Sequence, residues 1–229
     1  MKIFALISSL LVFAGNATAF PDYTLAYSVE SRFALNFYNK HAHQFEHAAA
    51  GTGLSPGFLF GIVAPELSQY NSLVDAGETY ALQVLYVQGG KAYSNFSIGF
   101  FQMKPSFAEF IEEQVKRDSI LTLCYPDFAF GGNNRQSRVE RVRRLSDLNW
   151  QLKYLQMFCI LVGKKYSDMK FNSELDKFKF YASVYNIGFR SLADIQRICK
   201  LKLFPRTGHL KFHYEEVATR FYKDVNNSF

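Results

Sequence analysis

Cysteine, tryptophan and proline are scarce in this sequence of 229 residues, which has 3 Cys, 1 Trp and 6 Pro. Cys124, Cys159 and Cys199 form no Cys-x-x-Cys pair, so the sequence predicts no structural zinc site. Their odd number leaves open one disulfide with a free thiol, or three buried thiols. A phosphate-binding glycine loop and a Gly-x-Ser-x-Gly elbow are also missing, so neither nucleotide binding nor serine hydrolysis is indicated.

Long apolar runs are absent except for one near the N-terminus. Lys2 precedes an apolar run over residues 3–13, and residues 17–19 read Ala-Thr-Ala. This order is typical of a cleaved export signal, and the run is too short to span a bilayer comfortably. We therefore predict a signal peptide at residues 1–19. Residues 20–229 would then form one periplasmic or secreted domain without a membrane span.

The charge balance is modestly positive, with 26 Lys+Arg against 20 Asp+Glu. Such a balance suits an anionic polymer such as cell wall, but it suits nucleic acid equally well. The five arginines between 135 and 144 are predicted to be solvated surface. They lack the interleaved aromatic residues that favour single-stranded nucleic acid, so we predict no nucleic-acid partner. His43 and His47 share a helix face, but two ligands do not complete a zinc shell, so no metal or cofactor is predicted.

Apolar residues recur mostly at helical spacing, and strand signals are weak. The predicted fold class is therefore mainly α, in a single domain with at most a small β-hairpin at 92–102. Residues 121–144 lose the pattern and are predicted to be an exposed loop entering a helix. The predicted helices cover 27–50, 56–65, 75–88, 105–116, 146–166, 173–188, 191–200 and 212–225.

The helix that starts at Pro56 is apolar on all sides, which predicts that it is buried in the domain centre. Pro65 is expected to end or kink it beside Glu66. A carboxyl group among apolar neighbours is poorly solvated, and this favours the neutral acid that a general acid must be. Taken alone, Glu66 is better explained as a surface residue at the C-terminal end of a helix.

Two further segments carry groups that suit an amino sugar. Ser97, Gly99 and Gln102 lie in a turn before a helix-initiating proline. The glycine would let the backbone approach a ligand closely, and the amide would donate and accept hydrogen bonds. Tyr185 and Asn186 lie near the end of a distant helix. Without further information they are equally well explained as a buried tyrosine and a helix C-terminal asparagine before Gly188, or as a hydroxyl that holds the acid or the sugar and an amide that shapes the cleft.

Together these segments resemble the three motifs of soluble lytic transglycosylases and goose-type lysozymes. The motifs are a catalytic Glu, a Gly-x-x-Gln-x-x-Pro turn and an Ala-x-Tyr-Asn-x-Gly helix. The resemblance covers roughly residues 54–188. The sequence departs from the family pattern at Leu67, where the family usually has Ser, at Pro65, and in a longer insertion over 71–95.

The resemblance implies a lysozyme-like fold that cleaves the β-1,4 bond between N-acetylmuramic acid and N-acetylglucosamine in peptidoglycan. Glu66 would act first as acid and then as base on the C6 hydroxyl, giving an anhydro product without a cofactor. A monomer that binds peptidoglycan glycan strands is expected. The implied substrate-binding residues are Ser97, Gly99, Gln102, Met103, Tyr185 and Asn186.

Two alternatives remain open at the level of sequence. A hydrolytic lysozyme would need a second carboxylate to orient water. Asp75 and Glu78 are the nearest candidates, although acids also favour the first turn of a helix for electrostatic reasons. The other alternative is a non-catalytic peptidoglycan-binding protein on the same fold.

Overall fold

A computed structural model of the protein describes residues 22–70, 72–130, 132–205 and 209–226, without the side chains of 72–79. The predicted signal peptide at residues 1–19 lies outside the described residues. No helix within the described part of the chain is long and apolar enough to cross a membrane. All three cysteines are free, and of these only Cys159 is buried.

The described residues are mainly α-helical and contain no named strand, which confirms the predicted fold class. The predicted hairpin is reduced to a tight turn closed by one antiparallel bridge between Ile98 and Met103. The helices are α1 (Tyr23–Ala26), α2 (Ser28–Ala49), α3 (Pro56–Ser68), α4 (Ser72–Gly89), α5 (Pro105–Arg117), α6 (Ser119–Cys124), α7 (Arg135–Ser146), α8 (Leu148–Lys165), α9 (Glu174–Ile187), α10 (Leu192–Ile198) and α11 (Tyr214–Asn226).

The centre of the fold is α3, which packs against α2, α9 and α11. The Ser55 hydroxyl caps its first turn by accepting a hydrogen bond from the backbone N–H of Phe58. Neighbouring helices surround α3 because it has no polar face, and Phe58, Ile62 and Val63 are fully buried. Glu66 therefore projects from the most deeply buried helix of the protein.

Of the two predicted effects of Pro65, an end or a kink, the first is wrong, because the helix continues to Ser68. A proline inside a helix removes one backbone hydrogen bond, here the bond to the carbonyl four residues earlier. In the turn before Pro65, the carbonyl of Ile62 accepts a hydrogen bond of 3.0 Å from the hydroxyl of Tyr214. This contact ties α11 to α3 one turn before Glu66.

The prediction of a solvated loop over 121–144 is wrong in two respects. This segment contains α6, a 3-10 turn at Pro126–Phe128 and most of α7. Arg141 and Arg144 are buried, with only 2% and 7% of their surface exposed. Sequence periodicity missed them because a buried arginine is tolerated only where the tertiary structure supplies a partner.

Candidate functional site

Glu66 lies in the last turn of α3 and is the only partly exposed residue between Gly57 and Ser68. It lines two cavities, which we call cavity A and cavity B. Cavity A has a volume of about 380 Å³, and cavity B has a volume of about 300 Å³. Asn186 and Ile187 also line both cavities, so the two adjoin each other at Glu66, and we call them together the groove.

Cavity A brings together most of the residues that the sequence singled out. Gln102, Met103, Tyr185 and Asn186 line it together with Glu66. Met103 is almost fully buried and contributes an apolar wall. The chain segments that meet here are α3, the turn at 98–103 and the end of α9, which are distant in sequence.

The turn holds Gln102 in an unusual backbone conformation. Its φ angle is 50°, in the left-handed region that residues other than Gly and Asn rarely adopt. Its backbone N–H and its side-chain Nε2 both donate to the carbonyl of Gly99, at 3.1 and 2.9 Å. These two bonds hold the side chain in a fixed orientation at the wall of cavity A.

Gly99 is required for packing against α8. Its φ is +73°, and a Cβ atom there would overlap the Gln151 amide and lie 2.6 Å from the carbonyl oxygen of Leu145. Neither Gly99 nor Ser97 is among the described residues that line cavity A or cavity B. Gly99 was predicted to let the backbone approach a ligand, but in the structure it packs closely against other parts of the protein.

Gln151 is a positioning residue that the sequence analysis missed. Its Oε1 accepts a hydrogen bond from the backbone N–H of Phe101 at 2.9 Å, and its Nε2 donates to the carbonyl of Leu145 at 2.8 Å. The side chain is fully buried. A lone glutamine in an apolar helix gives no signal in one sequence, because its role depends on which turn packs against it.

Tyr185 also supports the turn. The predicted partner of its hydroxyl is the acid or the sugar, but in the structure the hydroxyl donates to the carbonyl of Phe101 at 2.8 Å. Burial raises the pKa of Tyr185 well above its usual value, and the negative charge of Glu66 raises it further. The phenol therefore stays neutral, and it lies close enough to Glu66 for the charge of that residue to affect its pKa.

Asn186 is exposed at the mouth of both cavities. It occupies the last turn of α9, which stops at Gly188 with a φ of +83°. Since the helix ends here, the Asn186 amide is accessible from solvent. It has the position expected of a group that contacts ligand.

Cavity B contains a second carboxyl group, that of Glu215. Glu215 lies in the first turn of α11 and is half-buried, whereas the adjacent Glu216 is exposed. Burial raises the pKa of Glu215, while His213 and Lys179 act to lower it. No sequence pattern separates these two neighbouring acids, so only the packing of α11 against α3 and α9 distinguishes them.

The predicted second carboxylates, Asp75 and Glu78, lie on α4. Their side chains are outside the described part of the structure. Among the described residues, no group of three or more His, Cys, Asp or Glu side chains is placed to hold a metal ion.

Comparison with known proteins identifies no relative. No protein-family model, curated protein sequence or solved structure matches this chain. The function is therefore inferred from the site itself and from the motifs that the sequence carries.

Proposed function

We propose that this protein is an exported lytic transglycosylase that cleaves peptidoglycan, with Glu66 as its general acid and base. One observation carries the proposal. Glu66 projects from a buried helix into a groove, where it meets Gln102, Tyr185 and Asn186 from two other parts of the chain. Cavity A, with one carboxyl group and several amide and hydroxyl groups among its lining residues, suits an amino-sugar polymer.

The shape of the groove supports a polymeric substrate. Because Glu66 lines both cavity A and cavity B, a polymer whose scissile bond lies at Glu66 would have two adjoining cavities to contact. Cavity A is also lined by Lys104 and Arg190. Their positive charges would favour the acidic groups that peptidoglycan carries.

The surroundings of Glu66 suit an acid catalyst. The α3 residues before it are buried, and its carboxyl group is the one acid that lines cavity A among the described residues. In its protonated form Glu66 would donate a proton to the glycosidic oxygen as the bond between that oxygen and the anomeric carbon breaks. The N-acetyl group of the substrate would stabilise the positive charge that develops on the sugar.

The second half of the reaction uses the same residue. Glu66, now ionised, would take the proton of the C6 hydroxyl as the C6 oxygen bonds to the anomeric carbon. The products are an anhydro sugar end and a new free hydroxyl on the leaving chain. The carboxyl group returns to its protonated form, so atoms and charges balance without a cofactor.

Digestion of purified peptidoglycan by the mature protein tests the proposal. We expect fragments with anhydro ends, detected by mass spectrometry. Their release should be about a hundred- to ten-thousand-fold slower with Glu66→Gln, because proton transfer is lost. Glu113→Gln is the matched control, since Glu113 is an exposed acid on α5 that pairs with Arg117. Full activity of Glu66→Gln, or no fragments from the wild-type protein, would refute the proposal. The second result would favour a glycan-binding protein without catalytic activity.

Export is tested separately. If residues 1–19 are a signal peptide, the protein recovered from the periplasm or the culture medium begins at Phe20. N-terminal sequencing of that protein should show this residue first. Recovery of the intact N-terminus from the cytoplasm only would contradict the proposed location.

A further inference from the structure

Glu215 is the one described acid that shares cavity B with Glu66. The two residues come from different helices, α11 and α3, which pack against each other along the core. Other polar groups of the cavity include Ser183, Cys199 and Asn186. Cavity B therefore brings Glu66 and Glu215 together with several other polar groups, and Gln102 is not among its lining residues.

Cavity B is also lined by four apolar side chains. They are Ile198, Leu201, Leu203 and Phe204, from the end of α10 and the segment after it. Glu215 itself is half-buried, and burial is the main cause of its raised pKa. A carboxylate in such surroundings is a stronger base than one in bulk water, and it acts closer to neutral pH.

We infer that Glu215 is a general base that activates a water molecule in cavity B, so that part of the turnover ends in hydrolysis. This inference rests on the proposed function, because it concerns the same reaction at the same groove. It replaces Asp75 and Glu78 as the second carboxylate. The volume of cavity B, about 300 Å³, is large enough for several water molecules, each of which occupies about 30 Å³ in the liquid.

The chemical step is a competition for one intermediate. After Glu66 has protonated the leaving oxygen, the anomeric carbon can accept either the C6 oxygen of its own sugar or a water oxygen. In the second case Glu215 takes one proton from water as the oxygen bonds to the anomeric carbon. The product is then a reducing end, heavier than the anhydro end by one water. Glu215 then returns its proton to solvent and Glu66 takes one up from solvent, so both carboxyl groups are restored.

A structural role for Glu215 makes a different prediction. Acids in the first turn stabilise a helix through its dipole, and both Glu215 and Glu216 occupy the first turn of α11. If Glu215 acted only on the helix dipole, Glu215→Gln and Glu216→Gln would change the free energy of unfolding by similar amounts. The distribution of products would then stay the same in both variants.

The test compares products of the mature wild-type protein, Glu215→Gln and the matched control Glu216→Gln on purified peptidoglycan. Borohydride treatment followed by mass spectrometry separates reducing ends, which are reduced, from anhydro ends, which are unchanged. We expect both kinds of end from the wild-type protein. We expect the ratio of reducing to anhydro ends to fall by about a hundred-fold in Glu215→Gln, and to stay unchanged in Glu216→Gln.

Several outcomes would overturn the inference. An unchanged product ratio in Glu215→Gln would do so, and so would a wild-type protein that forms only anhydro ends, a result that leaves the proposed function intact. If Glu215→Gln does not fold, Glu215→Asp retains a carboxylate on a shorter chain and should shift the ratio in the same direction. Absence of both products from the wild-type protein would remove both proposals.

Discussion

Tyr185 and Phe101, which are 84 positions apart in the chain, are joined by a hydrogen bond of 2.8 Å from the phenol to the backbone carbonyl. The bond fastens the end of α9 to the turn that carries Gln102. Because Asn186 follows Tyr185 and Gln102 follows Phe101, one contact sets the relative position of both amides. The geometry of cavity A depends on it.

The first prediction concerns this bond. Tyr185→Phe should destabilise the protein by about 1–3 kcal/mol, because it leaves the Phe101 carbonyl without its partner. Lysis of peptidoglycan should slow by roughly ten-fold or more, since a shifted turn misplaces the groups that orient substrate. Urea denaturation and lysis assays measure the two effects.

Tyr166→Phe is the control for this change. Its hydroxyl donates to the Arg190 carbonyl at 2.7 Å in an exposed position. Water can replace that bond, so the loss of stability should stay below about 1 kcal/mol. Equal losses in the two variants would contradict the structural role given to Tyr185.

The second prediction concerns the glycine of the turn. Gly99→Ala should cost about 3 kcal/mol or more, because the new methyl group meets Gln151 and the Leu145 carbonyl in a left-handed conformation. Gly53→Ala is the matched control, since its φ is +70° and nothing lies within 4 Å of the added atom. That variant should lose only about 1–2 kcal/mol, from the backbone alone. Similar unfolding midpoints for the two would show that Gly99 does not pack as described.

The third prediction concerns the buried ion pair between Arg141 and Glu112. Arg141 Nε lies 3.0 Å from Glu112 Oε2, and both residues are buried. Arg141→Met leaves the Glu112 carboxylate without its cation and should cost about 3–5 kcal/mol. Arg143→Met removes an exposed pair with Glu140 and should cost less than about 1 kcal/mol. Chemical denaturation of the two variants measures the difference, and a small loss in Arg141→Met would be inconsistent with the structure.

The fourth prediction is a pH dependence of stability. Burial raises the pKa of Glu215 above its ordinary value of 4.5, so the folded protein holds this proton more tightly than the unfolded chain. The stability that the proton supplies is complete below pH 4.5 and is lost as the pH rises through the raised pKa. Glutamine does not titrate, so the free energy of unfolding of Glu215→Gln lacks this loss. The variant should therefore become more stable relative to the wild-type protein as the pH rises from 4 to 7.

Glu140 provides a control of opposite sign. Hydrogen bonding from Arg143, with Arg144 contributing, lowers the pKa of Glu140 to about 2. The ionised form stabilises the fold above pH 4.5, and this contribution is lost as the pH falls towards about 2. Glu140→Gln should therefore be less stable than the wild-type protein at neutral pH, with a difference that vanishes in acid. Thermal unfolding measured across pH tests both variants, and parallel curves for Glu215→Gln and the wild-type protein would contradict the buried position of Glu215.

The sequence predicted the helices well wherever local signals were strong. Ser55 before Pro56 marked the start of α3, Pro105 marked the start of α5, and Gly188 marked the end of α9. These signals are local, because a cap or a terminating glycine acts within one turn of its own helix. Pro65 misled the prediction, because a proline near a helix end is tolerated where the packing around it is good.

The sequence alone determined that the protein is α-helical and that α3 is buried. Both follow from the spacing of side chains along one segment. The tertiary structure decided which groups share a cavity: it placed Gly99 against Gln151, gave the Tyr185 hydroxyl to a backbone carbonyl, and left Glu215 half-buried but Glu216 exposed. Those outcomes depend on contacts between segments far apart in the chain, and no pattern within one segment encodes which neighbour it will meet.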